Sequence, residues 1–185
     1  MFRNLSRAQQ RFLGLTTPLR TRSDEEAQPT EHVTFTQRAQ DHLRRHLYAS
    51  GAYRGGPLFG FRSGGDLAVQ FIAPSGYTCG DPDLQRQPLR LDERYVLGWS
   101  DCLCAQFDGK LDWVGNWLMY PDSQLASVES DVAWLREGLE TDLFNEAHVL
   151  LCVGWEGGVM NARAYGYHRQ VGQLLTYTHD LAGET

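Results

Sequence analysis

Residues 114–131, VGNWLMYPDSQLASVESD, set out a spacing at which a divalent metal could be held. Side chains two apart on a strand face the same side, so residues 118 and 120 would aim at one point. Asp131, ten positions beyond Pro121, falls where a following helix would begin. Here the two strand positions are Leu118 and Tyr120. Leu has no lone pair to offer, and Tyr ligates only as a phenolate, which its ordinary pKa of about 10 opposes. The spacing suits a metal-dependent hydrolase, but two of its ligands are missing.

Other side chains could do chemistry. His42 and His46, in HLRRH, form an i, i+4 pair able to chelate a metal on a helix face. The pair lacks the Glu that follows the first His in a helical zinc protease motif. Arg44 and Arg45 would also repel a cation, so the expectation is an exposed helical face. His148, His168 and His179 have no partner at a recognisable ligand spacing. Cys79 lies in the turn-rich segment GYTCGDPDLQRQP and is the one cysteine placed to be reactive, although no motif supplies its base. That segment reads equally as a partner-binding loop or as a connector. Cys102, Cys104 and Cys152 form no CxxC with it or with one another, so reduced thiols are expected. The Ser-Gly-Gly turn at 63–65 is followed by neither GKS/T nor a helix start and carries no phosphate signal.

The bulk properties narrow the field. A chain of 185 residues, 42% hydrophobic and 22% charged, is one globular domain with room for a tail. No apolar run approaches the roughly 18 residues that span a bilayer, so no membrane role is expected and the expected compartment is the cytoplasm. The net charge of −6 opposes general nucleic-acid binding, which depends on neutralising phosphates. The exception is an acid-free arm over residues 3–22 with Arg3, Arg7, Arg11, Arg20 and Arg22. Its Phe2, Leu5, Phe12 and Leu13 could form one apolar stripe.

Local patterns supply the elements that must position these groups. Residues 1–31 read as arm and acidic linker, 32–178 as the domain and 179–185 as a tail. A strand at His32–Phe35 precedes a helix capped by Thr36, with Ala39, Leu43 and Leu47 on its apolar face. Two strands follow, over about 57–63 and 67–73. Asp92 caps a second helix, with Tyr95, Val96, Trp99, Leu103 and Phe107 on one face, and Asp108-Gly109 stops it. Residues 112–119 form an apolar strand on which Trp113 and Trp117 share one face while Leu118 and Tyr120 use the other. Ser127 caps a third helix carrying Val128, Val132, Leu135 and Leu139. HVLLCVGW, VMNARAYGY and QLLTYT then read as strands. This order predicts an α/β fold, a single mixed β-sheet flanked by about three helices.

Several segments in this order resemble the JAB/MPN domains, in particular the prokaryotic JAB-type isopeptidases. The first helix leads into GGPLFG, similar to the family's Glu-x-Gly-Gly-x-Leu-x-Gly. VGNWLMYP stands where active members read Val-Gly-Glu-Trp-His-Thr-His-Pro, and the Asp ten residues on is present. The resemblance runs from about His32 to Tyr177. It implies a zinc hydrolase scaffold that cleaves isopeptide or peptide bonds, often beside ubiquitin-like tails. Such a scaffold uses a Glu as general base and a Ser at the oxyanion.

By that resemblance, the Glu aligns with Tyr53, or with Arg54 if the register shifts by one. No Asp or Glu occurs between Asp41 and Asp66 in either case. The two His are Leu118 and Tyr120. The Ser position falls on Val128, with Ser127 one residue out of step, and only Asp131 stands. One carboxylate cannot hold zinc against water, so no cofactor is expected. Asp131 also has a structural role open to it, because an acid in a helix's first turn gains about 0.3–1 kcal/mol from the dipole. Leu118 could fill the old cleft, a burial that contributes roughly 1.5–3 kcal/mol.

The resemblance therefore implies a catalytically inactive pseudo-isopeptidase acting as a protein-interaction or scaffold module. Its partner would be another JAB/MPN domain, a ubiquitin-like protein or a second copy of the chain. One rival reading is a hydrolase rebuilt from Asp131, Tyr120 and a loop His or Cys79. Another is nucleic-acid association through the Arg-rich arm.

Overall fold

The computed structural model describes residues 9, 30–76, 86–141, 143–168 and 170–181. Cys79, the arginines of the arm and most of the linker lie outside the described residues. The elements run in the expected order: β1 (His32–Phe35), α1 (Gln37–Leu47), β2 (Arg54–Ser63), β3 (Asp66–Ile72), α2 (Glu93–Gln106), β4 (Asp112–Met119), α3 (Val128–Glu140), β5 (Val149–Glu156), β6 (Val159–His168) and β7 (Gln173–His179). Each helix begins at the expected cap. Thr36 accepts from the Ala39 amide, Asp92 from those of Arg94 and Tyr95, and Ser127 from that of Ser130. These side chains satisfy amides that have no partner within the helix. Among the described residues, no helix is long and apolar enough to cross a membrane.

The arrangement of the strands differs from the expectation. The sheet is not open and flanked by helices: its seven strands close into a barrel in the order β1-β3-β2-β4-β5-β6-β7. Closure comes from β1, which pairs in parallel with β3 on one side and with β7 on the other. The β7 seam is short, with His32 opposite Thr178 and Val33 opposite His179. Two register shifts, one between β2 and β3 at Phe59/Gly60 and one between β2 and β4 at Leu58/Phe59, add the local twist that curls a sheet.

The second shift also overturns the expected faces of β4. Leu58 pairs with Gly115 and Phe59 with Trp113, so Val114 is an extra residue that reverses the alternation. Trp113 therefore packs with Leu118 and Tyr120, while Trp117 packs in the opposite core with Val114 and Met119. Gly115 makes the close approach possible, since a Cβ there would lie 2.2 Å from the Val149 carbonyl oxygen.

The two cores divide the helices between them. Ala39, Leu43 and Leu47 of α1 pack with Val33, Leu58, Trp117, Leu151 and Val153. Val96 and Leu103 of α2 and Leu135 of α3 pack with Phe59, Trp113, Leu118, Phe144 and Leu150. Two helical assignments shift at the edges. Phe107 is the partly exposed C-cap of α2, and Val128 is exposed. The residues that α3 buries are Asp131, Leu135 and Gly138, so a carboxylate sits in the apolar stripe.

Candidate functional site: a sealed carboxylate centre

Four of the five positions singled out in the sequence, Tyr53, Leu118, Tyr120 and Asp131, gather in one region of the second core, while Ser127 is exposed at the start of α3. β2 and β4 are antiparallel, with Arg54 opposite Met119, and Tyr53 immediately before β2 lies against Tyr120, ring centroids 5.8 Å apart. Tyr53 also meets Trp134 of α3 edge-on at 5.3 Å. Of the two residues, Tyr53 is the one that packs toward Tyr120 and α3. Arg54 turns the other way and donates to the carbonyls of His46 and Tyr120 (both 2.8 Å) and to the Ser123 hydroxyl at 2.9 Å. Leu118 is fully buried and Tyr120 nearly so.

Asp131 is fully buried on the first turn of α3. Its Oδ1 accepts from the Tyr120 hydroxyl at 2.8 Å and its Oδ2 from the Tyr165 hydroxyl at 2.9 Å. Arg163 Nε stands 3.2 Å from Oδ2, an ion pair without the alignment of a hydrogen bond. Another nitrogen of Arg163 donates to the Ala126 carbonyl just before α3. The Cys152 thiol lies beside the same carboxylate. Burying an unpaired carboxylate would cost several kcal/mol, so two phenol donors and a guanidinium are what allow it to sit here. The helix-dipole role expected for Asp131 is thus the smaller part of its work.

The electrostatics around Asp131 favour the protonated forms of its neighbours Tyr120, Tyr165 and Cys152. Burial, with the neighbouring Asp131 charge adding to it, pushes the Tyr120 phenol far above its ordinary range. Tyr165 moves the same way for the same reasons. Burial raises the Cys152 thiol strongly, and Asp131 raises it further. A neutral thiol in an apolar site is inert, because the thiolate is the reactive species. Ser127 is occupied as the α3 cap, its Oγ 3.2 Å from that of Ser130. The geometry holds charge in balance and excludes water; it presents neither an open coordination position nor a free base.

Arg163, Tyr165 and Cys152 did not stand out in the sequence. The signal was there, since Arg163 and Tyr165 alternate on β6 and so share a face, and Cys152 pairs with Arg163 across β5 and β6. An Arg on an inward strand face needs a buried acid, and Asp131 is that acid.

The remaining histidines are placed individually. His148 meets Trp113 edge-on at 5.3 Å, His168 Nδ1 lies 3.1 Å from Glu146, and His179 Nε2 is 2.6 Å from the Ala162 carbonyl oxygen. His42 and His46 are half-buried rather than on an exposed face, with His46 packed on Trp117 at 4.9 Å. Among the described residues, no group of three or more His, Cys, Asp or Glu could hold a metal ion.

No family model matches the chain, and no curated protein does. Among solved structures it is similar to the solution structure of protein DSY2949 from Desulfitobacterium hafniense, a structural genomics target. The two share 16% identity at a TM-score of 0.50, over 82% of this chain and 94% of that one. At that identity the likeness concerns the fold alone.

Proposed function

We propose that this chain is a non-catalytic relative of the JAB/MPN isopeptidases that works by binding protein, its partner another such domain, a ubiquitin-like protein or a second copy. The carrying observation is that the positions matching the family's base and metal ligands, Tyr53, Leu118, Tyr120 and Asp131, meet in one place and are packed shut. Both Asp131 oxygens accept hydrogen bonds from tyrosines, and Leu118 has no exposed surface. Against a hydrolase rebuilt around Asp131 and Tyr120, this reading is supported by both carboxylate oxygens being engaged and by burial raising the Tyr120 phenol.

The test is metal analysis together with turnover. Full-length protein is purified without chelator, assayed for zinc, and incubated with ubiquitin-like fusions and a peptide library. The expected result is no cleavage, and no zinc whose retention depends on Asp131. Zinc retained one per chain and released by Asp131→Asn, or chelator-sensitive cleavage, would overturn the reading. Affinity capture with immobilised ubiquitin-like proteins, with the chain's own association measured by sedimentation, tests the binding half; no association of either kind counts against it.

A further inference from the structure

A second pair of side chains lies on α1, whose apolar face packs in the other core from Leu118 and Tyr120, and belongs to none of the roles above. On the last two turns of α1, His42 Nε2 and His46 Nε2 face each other 3.0 Å apart, with ring centroids 4.9 Å apart. Both rings are half-buried and still reach solvent. Their positions are fixed from below: His46 rests on the fully buried Trp117, and Arg54 holds the His46 carbonyl at 2.8 Å. The two nitrogens are therefore already in place before any ligand arrives, which lowers the ordering cost of binding.

We propose that His42 and His46 form a two-imidazole site for a late first-row divalent cation, Cu2+ or Ni2+. The distance suits such an ion. With metal–nitrogen bonds of about 2.0–2.1 Å, a 3.0 Å gap subtends about 95° at the ion. That is the cis angle of a square-planar or tetragonal centre, the arrangement that Cu2+ and Ni2+ favour. A tetrahedral zinc would need the nitrogens about 3.3 Å apart. In the free protein one Nε2–H donates to the other Nε2. Binding moves that proton to the Nδ1 of the same ring through solvent, so both Nε2 lone pairs face the metal and no proton is released near pH 7. Water completes the coordination.

The arginines that argued against metal at the sequence level are turned elsewhere. Arg44 and Arg45 reach back to Asp41, and Arg54 is engaged with the His46 and Tyr120 carbonyls and Ser123. Their positive potential still reaches the site, so binding in the micromolar range is expected rather than tight cofactor retention.

The full chain is titrated with Ni2+ by calorimetry, and substoichiometric Cu2+ is examined by electron paramagnetic resonance. The expected result is one ion per chain, nitrogen couplings from two imidazoles, and quenching of tryptophan fluorescence through Trp117. His42→Ala should weaken binding at least tenfold. His46→Phe should do the same while keeping a ring against Trp117, with circular dichroism confirming the fold in both. Unchanged binding by the His42→Ala/His46→Phe double variant, a thiolate signature for Cu2+, or no saturation below 100 micromolar would each overturn the site. Neither variant touches Asp131, so this outcome is independent of the reading above.

Discussion

At the scale of single residues, the unusual commitment is a carboxylate in the apolar stripe of α3. Two accounts of Asp131 differ in size. If it only complemented the helix dipole, its removal would cost about 0.3–1 kcal/mol. If it is the acceptor of Tyr120 and Tyr165 and the counter-charge of Arg163, removing it strands a partly buried cation and two buried hydroxyls, a loss of about 3–5 kcal/mol. Arg163 keeps about a quarter of its side chain in solvent, so the low end applies. Asp131→Ala should therefore lower stability in urea by about 3 kcal/mol, and Tyr120→Phe or Tyr165→Phe by about 1.5–3 kcal/mol each. A loss below 1 kcal/mol for Asp131→Ala would return the residue to the dipole account. A second buried phenol makes a pH prediction. Burial pushes Tyr177 up to about 12, and its hydroxyl finds no partner among the described residues. The folded state then holds its proton where the unfolded chain has lost it. The stabilisation is complete below about pH 10 and disappears as pH rises through 12, a change of about 2.5 kcal/mol. Tyr177→Phe should leave stability at pH 7 unchanged or slightly higher and should flatten the alkaline decline. An alkaline limb identical to that of the unsubstituted protein would show that Tyr177 does not drive it.

At the scale of elements, what the sequence revealed and what it hid have the same cause. Thr36, Asp92 and Ser127 were legible as caps because a cap is a contact across two or three residues. The meeting of Tyr53, Tyr120 and Asp131 joins three elements well separated in the chain, and their partners on β5 and β6 were not expected at all. The faces of β4 were misjudged because strict alternation assumes an unbroken ladder, and Val114 breaks it. Nothing local to Trp113-Val114-Gly115 shows the bulge; it exists because β2 and β5 press from either side. Gly115 pairs with Leu58 and with Val149, and any Cβ there would strike the Val149 backbone. Gly115→Ala should accordingly cost more than the 1–3 kcal/mol typical of overpacking, about 3 kcal/mol or above, because backbone cannot yield as a side chain does. Thermal unfolding measures it. The same substitution at Gly98, where a Cβ meets nothing within 4 Å, should stabilise α2 by up to about 1 kcal/mol. Equal effects at the two positions would contradict the bulge account.

At the scale of the whole molecule, closure is the feature least visible in the sequence and the weakest mechanically. The seam joins β1 to a strand near the other end of the chain, with the His32 ring 2.7 Å from the Thr178 hydroxyl across 146 residues. No periodicity can report a pairing so distant in the sequence. Two paired positions hold it, helped by the Phe35 amide donating to Asp180 at 2.9 Å and the Asp180 amide to the Val33 carbonyl. By contrast β5 pairs over seven positions with β6 and buries Val149 through Val153 completely. Local openings start where few buried contacts resist them, so the β1–β7 seam should open well below the global unfolding free energy. Asp180→Ala removes the side-chain acceptor of Phe35 and leaves the barrel interior untouched. It should speed amide exchange at Phe35 and its β1 neighbours at least tenfold while Leu150 to Val153 exchange at their original rate. A uniform acceleration over all strands would mean that the barrel opens as one unit, and the seam would then be as strong as the rest of the wall.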